Sequence, residues 1–225
     1  VLEQPNSPAP VGGCCNFKQP SQNFVNAFKT DPATGLPLLD NFNDADVTND
    51  MGIESSTPFT PYGGTLDPRL DWTVSRRGVP FLDWGVNPGK NWIRVQDNGG
   101  PYFGIKRIYM QSEKDTYADK TFWTDGVSAN NYVFIRFADV LLMAAECEVE
   151  VGSLETARQY VNRVRARAAN PDGFLHTYVD DSNPLAGFTN TPAANYKVGL
   201  YTTAWTDPDY ARKAIRFERR LELGE

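Results

Sequence analysis

Two helical patterns separated only by Gly152 and Ser153 commit the last third of this chain to an antiparallel helix hairpin. Within residues 136–151, Ala138, Leu142, Ala145 and Val149 recur at intervals of four, three and four, the spacing that lines one face of an α-helix. Gly152 breaks the run, and Ser153 is a good N-cap for a second helix with Glu155 in its first turn. Leu154, Ala157, Val161, Val164 and Ala168 form that helix's apolar stripe, and Asn170-Pro171 ends it. Ala145 and Ala157 stand twelve residues apart, the spacing of the small positions where the two helices of a tetratricopeptide repeat cross. Leu141 and Val161 take the large apolar positions. One such hairpin cannot bury both of its faces, so it is expected to pack on further helices or on a domain outside this chain. A third helix is expected from Asp207 as N-cap, with Pro208 in the first position, where its missing N–H costs nothing.

Upstream the pattern is different. Residues 1–130 read as a loop-rich, aromatic-containing region, in which Pro, Gly, Asn and Asp recur every few positions, as at 31–35 and 98–101. One short helix is expected at 21–28, where Phe24, Val25 and Phe28 share a face. Residues 131–225 form the helical region, with the hairpin at 138–171 and the terminal helix at 207–225. Long irregular stretches in a folded domain serve either as binding surface or as a cap held down by its own aromatics.

The net charge of −6 excludes a general nucleic-acid binder, which needs surplus Lys and Arg against phosphates. Arg163, Arg165 and Arg167 read as a solvated helix face, as do Glu218 and Glu222 beside Arg219 and Arg220. The apolar run 140–145, bracketed by Asp139 and Glu146, is far short of the roughly 20 residues of a membrane-spanning helix. Residues 1–5 show no leader pattern. Cys14 and Cys15 are adjacent and unsuited to bridging each other, and Cys147, in an apolar helix, reads as a buried small hydrophobe. No zinc pattern is present, because His176, placed in a loop, is the only histidine. Asp40, Asp44, Asp46 and Asp50 suggest calcium, but Asn49 and Ser55 stand where an EF-hand counted from Asp44 needs Gly and Glu. No cofactor is expected.

Four segments together resemble one family. Residues 131–146, an extended entry, Arg136, then a helix with small residues and the acids Asp139 and Glu146, are similar to the SusD/RagB signature. Asn162, Val164, Arg165, Arg167 and Ala168 resemble a second family helix, Asp67-Pro68-Arg69-Leu70 an upstream element, and Glu218-Arg219-Arg220-Leu221-Glu222-Leu223 a downstream one. The chain departs from the family in stopping at Gly224-Glu225 and in lacking its large helical N-terminal region. The resemblance therefore implies the C-terminal portion of a longer protein. The implied fold is mainly α: a tetratricopeptide-like helix pair plus a further helix, packed with the long irregular region in an incomplete SusD-like arrangement. The implied function is non-catalytic binding of oligosaccharides or polysaccharides on the extracellular face of the outer membrane. Implied partners are a SusC-like TonB-dependent transporter and the membrane itself, reached through a lipid anchor outside this chain.

Sugar recognition needs exposed aromatic faces for C–H stacking and planar polar groups for hydroxyls. Trp84, Trp92 and Tyr102 supply the first in the loop-rich half, with Trp123 nearby; Asp83, Asn91 and Arg94 supply the second. These six form the candidate glycan site, and buried local core is the plainer reading of the same tryptophans. Arg136 and Asp139 read as a structural ion pair three residues apart. No enzyme is expected: no motif sets a carboxylate pair for glycoside hydrolysis, no nucleophile has a histidine base and no phosphate-cradling loop appears. The alternatives are a helical-repeat scaffold for a protein or peptide and, behind it, a glycoside hydrolase.

Overall fold

Capping side chains set the helix boundaries in the computed structural model, which describes residues 9–11, 19–93, 95–106, 108–119, 121 and 128–224. Ser21 Oγ accepts the Phe24 N–H and starts α1 (Gln22–Asn26), a shorter piece than the 21–28 pattern predicts. Single helical turns follow at α2 (Gln96–Gly99) and α3 (Lys114–Tyr117). The three long helices are α4 (Phe137–Val151), α5 (Leu154–Ala168) and α6 (Pro208–Leu223). Ser153 caps α5 through the Thr156 N–H, and Asp207 caps α6 through the Asp209 N–H. Among the described residues, strands are confined to two antiparallel pairs, β1 (Val74–Ser75) with β2 (Phe103–Gly104) and β3 (His176–Tyr178) with β4 (Phe188–Pro192). The regular structure is mainly helical, and His176 stands in a strand rather than a loop.

Helices α4 and α5 form the expected hairpin. Leu142, Ala145, Ala157 and Val161 are fully buried where they cross, and α6 packs on both with Ala211, Ala214 and Ile215. α6 is therefore the neighbour that covers one side of the hairpin. The other side of α4 stays open: Phe137, Val140, Met143 and Val151 are exposed, and so is Cys147. Cys147 is thus not the buried hydrophobe its apolar surroundings suggest, because α4 is apolar on two faces and only one is covered. A second cluster joins the two halves of the chain, bringing Val25, Phe28, Leu66, Leu70 and Tyr102 against Phe217 and Leu221 of α6. A third lies within the loop-rich half around Phe81, Ile93, Phe103 and Tyr109.

Several charged residues expected on solvated faces are buried. Arg165 is 0% exposed, Glu218 0% and Glu222 2%. Arg69 Nε and Nη2 fork onto Asp67 at 2.9 and 2.7 Å, and its Nη1 reaches Glu218 at 2.6 Å and Glu222 at 3.0 Å. Arg165 Nη1 donates to the other Glu218 oxygen at 2.8 Å, while Nε and Nη2 donate to the carbonyls of Gly199 and Gly35. Arg167 and Arg136 converge on Glu222 at 2.6 and 2.9 Å. Arg136 and Asp139 are both ion-paired, though not with each other: Asp139 holds Arg219 of α6 at 3.0 Å. All four sequence motifs thus meet in one network, which locks the 67–70 turn, the start of α4, α5 and α6 into register. Gly35 and Gly199 close it from below. Gly35 has φ +70, and a Cβ on Gly199 would lie 1.8 Å from the Thr34 carbonyl oxygen.

Candidate functional site

The tryptophans of the candidate site sit on two adjoining turns. Residues 78–87 fold back on themselves, with Gly78 N–H donating to Asn87 O and Asn87 N–H to Val79 O. At the tip Phe81 N–H donates to Gly85 O, and Leu82 takes φ 50, a left-handed conformation uncommon outside glycine. Tyr178 of β3 holds that tip in place: its hydroxyl donates to Leu82 O at 2.7 Å and accepts the Gly85 N–H at 3.1 Å. Burial pushes this phenol up to about 12, so it stays a donor at neutral pH.

The turn fixes Asp83 and Trp84. Asp83 is 4% exposed, and its two oxygens accept the backbone N–H groups of Gln111 and Ser112. It anchors the 111–113 turn and has no free oxygen turned toward a ligand. Trp84 is half-buried; its indole N–H donates to Tyr109 O at 2.8 Å, and its ring meets Tyr109 edge-on.

Asn91 and Trp92 sit on the second turn. Its entry, Gly89 at φ +90, lies against Asp50 and Arg77, and a Cβ there would come within 2.3 Å of Asp50 Oδ2. Burial raises the Asp50 carboxyl above its ordinary value, opposed by the nearby Arg77 charge. Arg77 in turn holds the carbonyls of Ser55 and Thr57 and lies over the Phe59 ring. Asn91 is exposed, and its backbone N–H donates to Ser55 Oγ. Trp92 is half-buried, edge-on to Phe81 and tilted against Phe103.

Tyr102 is elsewhere. It is 1% exposed in the cluster under α6, and its hydroxyl donates to Gln22 Oε1 at 3.0 Å. Burial raises its pKa. Its ring offers no face to a ligand in this structure. Arg94, Trp123, Cys14 and Cys15 lie outside the described residues. Trp84 and Trp92 thus both pack half-buried on the third cluster, with exposed Asn91 next to Trp92 and with Asp83 committed to the 111–113 turn. Sequence reasoning missed Tyr178 and Tyr109 and weighed Asp50 only for calcium; all three support these turns from 25 or more residues away in the chain. Only Pro88-Gly89 and Asp83-Trp84-Gly85 marked the turns themselves. Among the described residues no three His, Cys, Asp or Glu side chains gather as a metal site, and Asp46 is bonded by Asn26. No helix among them is long and apolar enough to cross a membrane.

Comparison with known proteins places the whole arrangement. A profile of the SusD family matches residues 3–224. SusD-like protein P2 of Formosa agariphila is 30% identical over 127 residues, covering 47% of this chain and 24% of that protein. SusD-like protein P25 of the same organism is 52% identical over 40 residues, covering 18% of this chain and 8% of that one. The crystal structure of a SusD-like protein from Bacteroides fragilis superposes with a TM-score of 0.56 at 20% identity, covering 100% of this chain and 36% of its own. That likeness carries the fold, and this chain spans well under two thirds of each of these proteins. With a profile match running nearly end to end, and with the matched motifs joined in one buried network, the chain belongs to the SusD family.

Proposed function

We propose that this protein binds oligosaccharides or polysaccharides at the cell surface, without chemistry, and delivers them to a SusC-like TonB-dependent transporter. On this reading it acts on the extracellular face of the outer membrane, held by a lipid anchor outside this chain. Family membership over residues 3–224 is the observation that carries the reading. The surface of Trp84, Trp92 and Asn91 supports it. Half-open indoles can stack on pyranose C–H faces, and the Asn91 side-chain amide is free to meet a hydroxyl pair. The buried Asp67, Asp71, Asp83, Glu218 and Glu222 are each held by arginine or backbone N–H groups, an environment that suits structure better than acid–base work.

The test is a binding titration with Trp84→Ala, Trp92→Ala and Asn91→Ala. Trp84 and Trp92 also pack on the third cluster, so circular dichroism must first show each variant folded; Asn91→Ala removes an exposed side chain and is the cleaner probe. Loss of glycan affinity in all three supports this surface. Undiminished affinity in folded variants removes it as the site.

A second reading, capture of a protein or peptide helix, rests on the open apolar face of α4 at Phe137, Val140 and Val151. It predicts binding that Val140→Glu abolishes and Trp84→Ala leaves unchanged.

A further inference from the structure

The outer side of α6 is cationic in a chain whose net charge is −6. Asp209, Arg212, Lys213, Arg216, Phe217 and Arg220 line an open groove of about 470 Å³ there. Two of the cations are already matched. Arg212 forks onto Glu150 at 2.6 and 2.9 Å and also touches Asp209, and Lys213 pairs with Asp40.

The other two are not. Arg216 is exposed and makes no hydrogen bond or ion pair among the described residues, although Glu150 feels its charge. Arg220 donates to the backbone and side-chain oxygens of Asn23, and its guanidinium lies 4.8 Å over the Phe42 ring. Partial burial without a carboxylate lowers its pKa. Arg216 and Arg220 are four residues apart on one helix, a spacing at which like charges repel and destabilise it. Glu150 offsets part of the Arg216 charge without bonding to it, and no carboxylate among the described residues bonds to either guanidinium, so a bound anion would relieve the rest. Two planar guanidinium forks lining one groove suit a group with several oxygens, such as a carboxylate or sulfate. Phe217, which meets Phe42 edge-on at 5.4 Å, adds an apolar ring to the groove lining.

We propose that this groove binds the acidic substituent of a glycan, a uronate carboxylate or a sulfate ester, with Arg216 and Arg220 as its donors. The inference rests on the glycan-capture reading and narrows it to acidic polysaccharides. It concerns residues far in the sequence from Trp84 and Trp92, so the two surfaces can be tested apart.

The experiment is calorimetric titration of the chain with oligogalacturonate, a sulfated galactan oligosaccharide, a neutral glucan and polyglutamate, at low and high salt. Arg216→Gln, Arg220→Gln and the double variant are compared. Arg220 also anchors Asn23, so Arg216→Gln, which removes only an exposed side chain, keeps the test sound if the double variant folds poorly. The expected result is salt-sensitive binding of at least one acidic glycan, weakened about tenfold in Arg216→Gln through loss of a charged hydrogen bond, with any neutral-glucan binding unchanged. Preference for the uronate or for the sulfate identifies the substituent. Acidic-glycan affinity that survives Arg216→Gln overturns the proposal, as does polyglutamate binding equally well through the same residues. If neutral glucan binds and acidic glycans gain nothing from the groove, glycan capture stands and the groove falls. If no glycan of any kind binds, both fall.

Discussion

Removing the Glu218 carboxylate should cost more stability than any other single charge deletion in this chain. The side chain is fully buried and takes Arg69 on one oxygen at 2.6 Å and Arg165 on the other at 2.8 Å. Glu218→Ala leaves Arg69 with Asp67 and Glu222, but it leaves Arg165, at 0% exposure, with the Gly199 and Gly35 carbonyls and the Tyr201 ring and without its carboxylate. An uncompensated buried charge of this kind costs about 3–5 kcal/mol. Glu218→Gln keeps the shape but removes the same charge and sets its NH2 against one of the two guanidiniums, so it should also cost well over ~1 kcal/mol. The contrast is with Glu54→Ala, which breaks an ion pair to Lys90 whose side chains are 40% and 62% exposed, and which should cost no more than ~1 kcal/mol. Urea unfolding followed by tryptophan fluorescence measures each difference from the midpoint, provided the slope is unchanged. A Glu218→Ala loss as small as that of Glu54→Ala would refute the claim that the motif charges hold the fold in register.

Other consequences follow from the same contacts. Gly199→Ala places a methyl group against the Thr34 carbonyl and should destabilise by several kcal/mol or prevent folding, read in the same urea assay. Ala145→Leu overpacks the crossing of α4 and α5 and should cost about 1–3 kcal/mol, whereas Cys147→Ser, on the exposed side of the same helix, should be near neutral. Asp67 is buried, which alone would raise its pKa, but Arg69 and its hydrogen bonds hold the carboxyl below the ordinary carboxylate value. Its stabilising contribution is therefore complete above the unfolded value of about 4 and is lost as pH falls through the folded one. Asp67→Asn should be less stable at neutral pH and show a shallower loss between pH 4 and more acid conditions, measured by thermal melts across that range.

What the sequence reveals and what it hides divide along a physical line. Helix ends are local: Ser153, Asp207 and Pro208 act on atoms within a few residues, so the bounds of α5 and α6 are readable directly. The apolar stripe Ala157, Val161, Val164, Ala168 is readable for the same reason. Arg165 lies within that stripe, one turn from both Val161 and Ala168, and Glu218 holds the matching position between Ala214 and Leu221. Periodicity alone places both on the core face. Their charge argues for solvent, and the partner that reverses the argument is 53 residues away. Arg136 and Asp139 mislead in the opposite sense: their spacing suggests a local pair, but α6 offers each a better-placed partner.

The candidate site follows the same rule. Irregular backbone has no period, so nothing in the sequence separates Tyr102, which the fold draws under α6, from Trp84 and Trp92, which it leaves half-open. The carboxylate of Asp83 goes to a turn 28 residues on, a commitment visible only once Gln111 and Ser112 are beside it.

The most direct test of the central claim is a tryptophan fluorescence titration of this chain against a broad panel of neutral and acidic oligosaccharides. The account predicts a saturable change with at least one glycan, since a sugar ring on the proposed surface would alter the surroundings of Trp84 and Trp92. A flat response to every glycan in the panel would contradict it.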